Sequence, residues 1–185
     1  MEPIEFVAFA ADCTISARMT MFGDRLTDML NGQERYRLHH VTVQSLSDGH
    51  TIETDSIPIE RVDLLAVVGT GPRGSEKMRL NLTTSRMQLA VGPYIILGRL
   101  HMPPGLDPVA VMMNREPMVP LTAATIAYML AGEVIARDVP TIIVNRALVE
   151  WIVPTSDEAT AFPDATVRTP HEINFIKDMT GLPTS

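Results

Sequence analysis

Apolar residues in this chain fall in short blocks broken by turn-forming residues, and two of those blocks share one design. Residues 140–153 (P-T-I-I-V-N-R-A-L-V-E-W-I-V) and 57–68 (I-P-I-E-R-V-D-L-L-A-V-V) each carry an apolar β-branched run, a polar break with an arginine (Arg146, Arg61) and a second apolar run. Strand-forming runs this close together predict two strands joined by one tight turn of helix, which bends the chain without leaving the sheet. Such a unit closes a small barrel, and two copies of it point to a duplicated domain.

Read in order, residues 6–10 and 13–21 form a first hairpin around Ala11-Asp12. Leu26, Met29 and Leu30 then share one face of a helix of about two turns, which Asp24 is placed to cap and Asn31 to end in the left-handed conformation. Residues 35–45 and 51–54 flank Ser47-Asp48-Gly49, a strong hairpin turn, and the first closing unit follows. The glycine-rich stretch 69–77 (G-T-G-P-R-G-S-E-K) reads as a linker.

The same order repeats beyond it. Residues 86–91 and 94–102 make a hairpin around Gly92-Pro93, offset from the first by roughly 81 residues. Asp107 is placed as an N-cap with Pro108 at the first helical position, and Asn114 ends that element. Residues 118–129 and 133–137 flank Ala131-Gly132, and the second closing unit completes the copy. Arg18 thus matches Arg99, Asn31 matches Asn114, Gly49 matches Gly132 and Arg61 matches Arg146. The division that follows is a first small barrel at 1–68, a linker at 69–77, a second barrel at 78–154 and an extended C-terminal arm at 155–185. Within the arm, Ile173, Phe175, Ile176 and Met179 belong to a short amphipathic segment suited to docking.

Composition narrows the function. A net charge of -7 disfavours a protein that works by neutralising phosphates, so nucleic acid is an unlikely partner. The single cysteine, Cys13, excludes an intrachain disulfide and a cysteine-clustered zinc site. The start of the chain lacks the basic segment and apolar core of a signal peptide, and no stretch has the length of a spanning helix, so the expected location is cytoplasmic.

A hairpin, a short helix and three further strands closing on V-N-R-A-L-V-E-W-I-V resemble the small five-stranded Sm-like barrels. With its G-L-D-P…M-N helix and P-L-T-A-A-T-I strand, the second copy is similar to bacterial Sm-like domains of unknown function. The resemblance covers residues 86–153 well and 6–68 more loosely. It implies a mainly β fold: two tandem Sm-like five-stranded barrels, each with one short helix, plus the arm. The helix falls between the second and third strands instead of at the N-terminus, and the RNA-contacting loop motifs of Sm proteins are absent, so no RNA-binding residue carries over.

No group of residues announces catalysis. His39 and His40 are adjacent and point to opposite faces of a strand, which prevents both from ligating one metal unless the strand bulges. Ser47-Asp48-Gly49-His50 groups the residue types of a triad inside a tight turn, where they cannot converge. Residues 69–74 lack the lysine and hydroxyl residue that end a phosphate loop. The expectation is a non-catalytic protein-interaction or scaffold protein without cofactor or metal. Its sheet edges and arm join a protein partner or larger complex as an accessory subunit, or make a homo-oligomer. Trp151, which has no echo in the first copy, marks the contact surface together with Ile173, Phe175, Ile176 and Met179. The alternative is an RNA- or nucleotide-binding regulator using Arg35, Arg37, Arg61 and Arg146.

Overall fold

A computed structural model describes residues 3–70, 82–156 and 166–168. The first half contains β1 (Pro3–Phe9), β2 (Cys13–Thr20), α1 (Leu26–Gly32), β3 (Arg35–Ser45), β4 (Thr51–Glu60), a 3₁₀ turn (Arg61–Asp63) and β5 (Ala66–Val68). The second contains β6 (Thr83–Val91), β7 (Tyr94–Met102), α2 (Pro108–Met113), β8 (Met118–Leu130), β9 (Glu133–Asn145), a 3₁₀ turn (Arg146–Leu148) and β10 (Val149–Pro154). A further strand, β11 (Thr166–Arg168), runs parallel to β9, whereas every other pairing is antiparallel.

Turn chemistry sets these boundaries. Ala131 and Gly132 both take positive φ, which brings β8 and β9 together through a two-residue connection. Asp107 accepts a hydrogen bond from Ala110 N at 3.0 Å with Pro108 beside it, as expected of an N-cap. Two other expected caps differ. Arg25, not Asp24, precedes α1 and makes no side-chain cap, and Asn31 lies inside α1 without the positive φ expected of it, whereas Asn114 ends α2 as expected, at φ -94°.

Both closing units form as strand, single 3₁₀ turn, strand. The first does not close a barrel on its own half. All three residues of β5 are buried, and the strand pairs with β1 on one side (Val67 opposite Ala8) and with β9 on the other (Val67 opposite Ile143). The order is therefore β10-β6-β7-β8-β9-β5-β1-β2-β3-β4, one open sheet with β10 and β4 outermost. Two separately closed five-stranded barrels are not what the described strands form. A run buried on both sides is what an interior strand requires, and β9 supplies the second neighbour.

The halves also share their cores. One apolar cluster places Val7, Phe9, Leu65 and Val68 among residues of β6 to β9, and the other places Met118 and Ile143 among residues of the first half. Phe9, Tyr94 and Tyr128 meet edge to face with centroids 5.3–5.8 Å apart, and the Tyr94 hydroxyl donates to Ala10 O at 2.7 Å. Of the linker expected at 69–77, Gly69 and Thr70 are described. Gly69 N donates to Thr141 O at 2.9 Å and the Thr70 hydroxyl donates to Glu5 O, so this start of the linker bridges both halves.

Candidate interaction surface

The two outer strands differ in what they offer to another chain. In β10, Thr155 N donates to Arg86 O at 2.9 Å, and the register (Val153 opposite Gln88, Trp151 opposite Ala90) continues that ladder. Antiparallel pairs alternate, so Trp151 and Val153 point their backbone groups at β6 while Ile152 and Pro154 point theirs outward. Among the described residues Ile152 thus presents an N–H and C=O without a strand partner, and Pro154 presents only a carbonyl. Trp151 and Val153 are 42% and 45% exposed, whereas Ile152 is half-buried against the core.

The same reasoning gives β4 a different edge. Arg61 N donates to Glu34 O at 2.8 Å, and Ile59 lies opposite Tyr36 and Ile57 opposite Leu38. Ile57 and Ile59 therefore bond β3, and Pro58 faces outward with no N–H. Glu53 and Asp55, on the same strand, are exposed. Proline and charge on an outer strand discourage strand addition.

Of the four arginines assigned to an RNA surface, three have partners in the structure, and for two of them the partners are backbone carbonyls. Arg61 donates to Asn31 O at 2.9 Å and to Gln33 O at 3.3 Å, at the end of α1. Arg146 Nε donates to Arg115 O just beyond α2. Each of these arginines thus ties its 3₁₀ turn to a carbonyl at or just past the end of the helix before it. Arg35 pairs with Glu60 at 2.8 Å, while Arg37 is exposed and makes no ion pair among the described residues. Arg35 and Arg37 line, with Met19, Phe22, Tyr36 and His39, a depression of about 230 Å³. Ile173, Phe175, Ile176 and Met179 lie outside the described residues, so Trp151 is the described member of the assigned partner surface.

The remaining chemistry resolves into local structure. The strand does bulge at His40, whose φ is 49°, yet among the described residues no three His, Cys, Asp or Glu side chains group as a metal site. Asp48 Oδ1 accepts from His50 N at 3.0 Å, and hydrogen bonds from Ser45 and His50 hold its carboxyl below the usual range, as an Asx turn requires. Partial burial, with a contribution from the neighbouring Asp12, pushes the Cys13 thiol up to about 11. Met19, Met29, Met102, Met112 and Met118 are buried, as core filling predicts, while Met113 is 43% exposed.

Two contributions were not foreseen. Asn31 Nδ2 donates to Met118 O at 3.0 Å and its Oδ1 accepts from Met118 N at 2.9 Å, bridging the halves as a strand would. Phe22 stands 58% exposed beside the Arg37 depression. An aromatic residue at the end of a strand run, just before Gly23-Asp24, was the available sign that it lies outside the core.

No family model, no curated protein and no solved structure matches this chain. Among the described residues no helix is long and apolar enough to cross a membrane.

Proposed function

We propose that this chain is a non-catalytic protein-interaction or scaffold protein that joins an assembly of its own or other chains through its sheet edges and C-terminal arm. The observation that carries this reading is the open sheet ending in β10, where Trp151 and Val153 are exposed beside free backbone groups. Two tandem Sm-like units remain the proposed ancestry. Matched irregularities support it: β3 and β8 each bulge at a positive-φ residue, His40 and Ala123, and each turn arginine donates to a carbonyl at or just past the end of the helix before it.

The test is a capture from native lysate with the full chain, with a chain lacking residues 155–185, and with Trp151→Lys. Loss of the same partner from either variant is expected, and an unchanged partner set refutes the reading. A second reading, RNA or nucleotide binding, is favoured by Arg35, Arg37 and His39 beside exposed Phe22, where a base could stack next to a phosphate. It requires salt-sensitive binding of mixed-sequence single-stranded RNA that Arg37→Glu abolishes; no binding at low salt removes it.

A further inference from the structure

The geometry points to a two-fold dimer in which β10 pairs antiparallel with β10 of a second copy, with Ile152 on the symmetry axis. This rests on the sheet-edge reading above and names the edge and the partner.

The argument starts from which edge is open. Ile143, three residues before Arg146, is in the row that bonds β5, because Asn145 N donates to Leu65 O at 3.0 Å and Gly69 N to Thr141 O at 2.9 Å in the same register. Pro58 stands three residues before Arg61, at the outward-facing place on β4, and cannot donate there. With Glu53 and Asp55 exposed on that strand, β4 resists continuation of the sheet. Growth of copies head to tail, β4 onto β10, is thereby disfavoured, and β10 is left to pair with itself.

The sequence of β10 is self-complementary in one register. With Ile152 opposite Ile152 of the partner subunit, the outward N–H and C=O of each donate to and accept from the other, giving two hydrogen bonds across the axis. The neighbouring pairs set Trp151 against Val153 of the partner subunit, twice by symmetry. These are non-hydrogen-bonded pairs, in which facing side chains approach most closely, and aromatic with β-branched is a favourable cross-strand combination. Both residues are now exposed, so pairing removes them from water. Glu150 falls opposite Pro154 of the partner subunit, so no like charges face each other. Pro154, without an outward N–H, limits the ladder at each end and makes it a closed pair.

The experiment is mass measurement of the full chain by light scattering and native mass spectrometry, at about 100 µM chain, where contacts of micromolar strength are populated. The expected mass is twice the 20.3 kDa of one chain. Trp151→Lys and Val153→Glu should each weaken dimerisation at least tenfold. Mixed in equal amounts they should recover a heterodimer, because one pair becomes Lys with Glu and the other remains Val with Trp. Recovery also excludes misfolding as the cause of the losses. A monomeric wild type, assemblies larger than two copies, dimers that survive either substitution, or a mixture that stays monomeric would each overturn the proposal. A monomer whose lysate partner is lost with Trp151→Lys defeats the dimer and keeps the interaction reading; a monomer with unchanged partners defeats both.

Discussion

Asn31→Ala should cost far more than its place on a two-turn helix implies. Pro117 and Val119 bond β9, since Arg146 N donates to Pro117 O at 2.8 Å, so the backbone of Met118 between them faces the other way. The β7–β8 pairing begins only at Thr122, which leaves the Asn31 amide to satisfy both Met118 groups. Met118 is 1% exposed, so truncation strands a donor and an acceptor away from water. At about 1–3 kcal/mol for each orphaned group, with some recovery by relaxation, the loss is about 2–4 kcal/mol. With a urea dependence of about 2 kcal/mol per molar, the unfolding midpoint should fall by about 1–2 M. Asn114 is the internal control. Its amide donates to Ala110 O on an exposed surface, and Asn114→Ala should cost about 0.5 kcal/mol. Urea titrations followed by circular dichroism give both numbers. Equal losses at the two positions would refute the idea that Asn31 stands in for a missing strand.

Gly98→Ala on β7 should destabilise by about 1–3 kcal/mol in a thermal melt, because the added methyl would sit 2.8 Å from Leu121 Cβ and 3.3 Å from Ala124 Cβ; a neutral result would mean that β7 and β8 separate at little cost. Cys13 should alkylate more slowly at pH 8 than an unshielded thiol, with its rate still rising as pH approaches about 11. Because the folded state holds this proton more tightly than the unfolded one, its contribution is fully present below about pH 9 and falls as pH rises towards 11. A Cys13→Ser variant that loses stability equally over that range would show that the decline comes from other groups.

Local signals were legible wherever a few neighbouring residues decide the geometry. Asp107-Pro108, Ser47-Asp48-Gly49, Ala131-Gly132 and the buried face of Leu26, Met29 and Leu30 all act as their sequence implies. The joining of the halves was not legible, because it depends on Val67 meeting Ile143 and Asn31 meeting Met118, contacts with no local trace. The apolar run 64–68 signalled a buried strand but could not name its second neighbour. Arg61 and Arg146 were legible as a matched pair, yet the carbonyls they meet lie at or just past the ends of the preceding helices, about 30 residues earlier in the chain. Trp151 was singled out for having no counterpart, and it is exposed on the outermost strand; its use there awaits the dimer test.

The exchange of residues between the two cores has a consequence for how the chain is made. When residues 3–70 have left the ribosome, their apolar cluster lacks Met118 and Ile143, and β5 has one neighbour instead of two. The N-terminal half must therefore wait, with an unpaired strand edge, until β9 is synthesised. Pairing β5 with β9 joins residues more than 70 apart in sequence, the kind of long-range contact that slows folding. A fragment ending at residue 68 would leave uncovered the edge of β5 that β9 occupies in the whole chain.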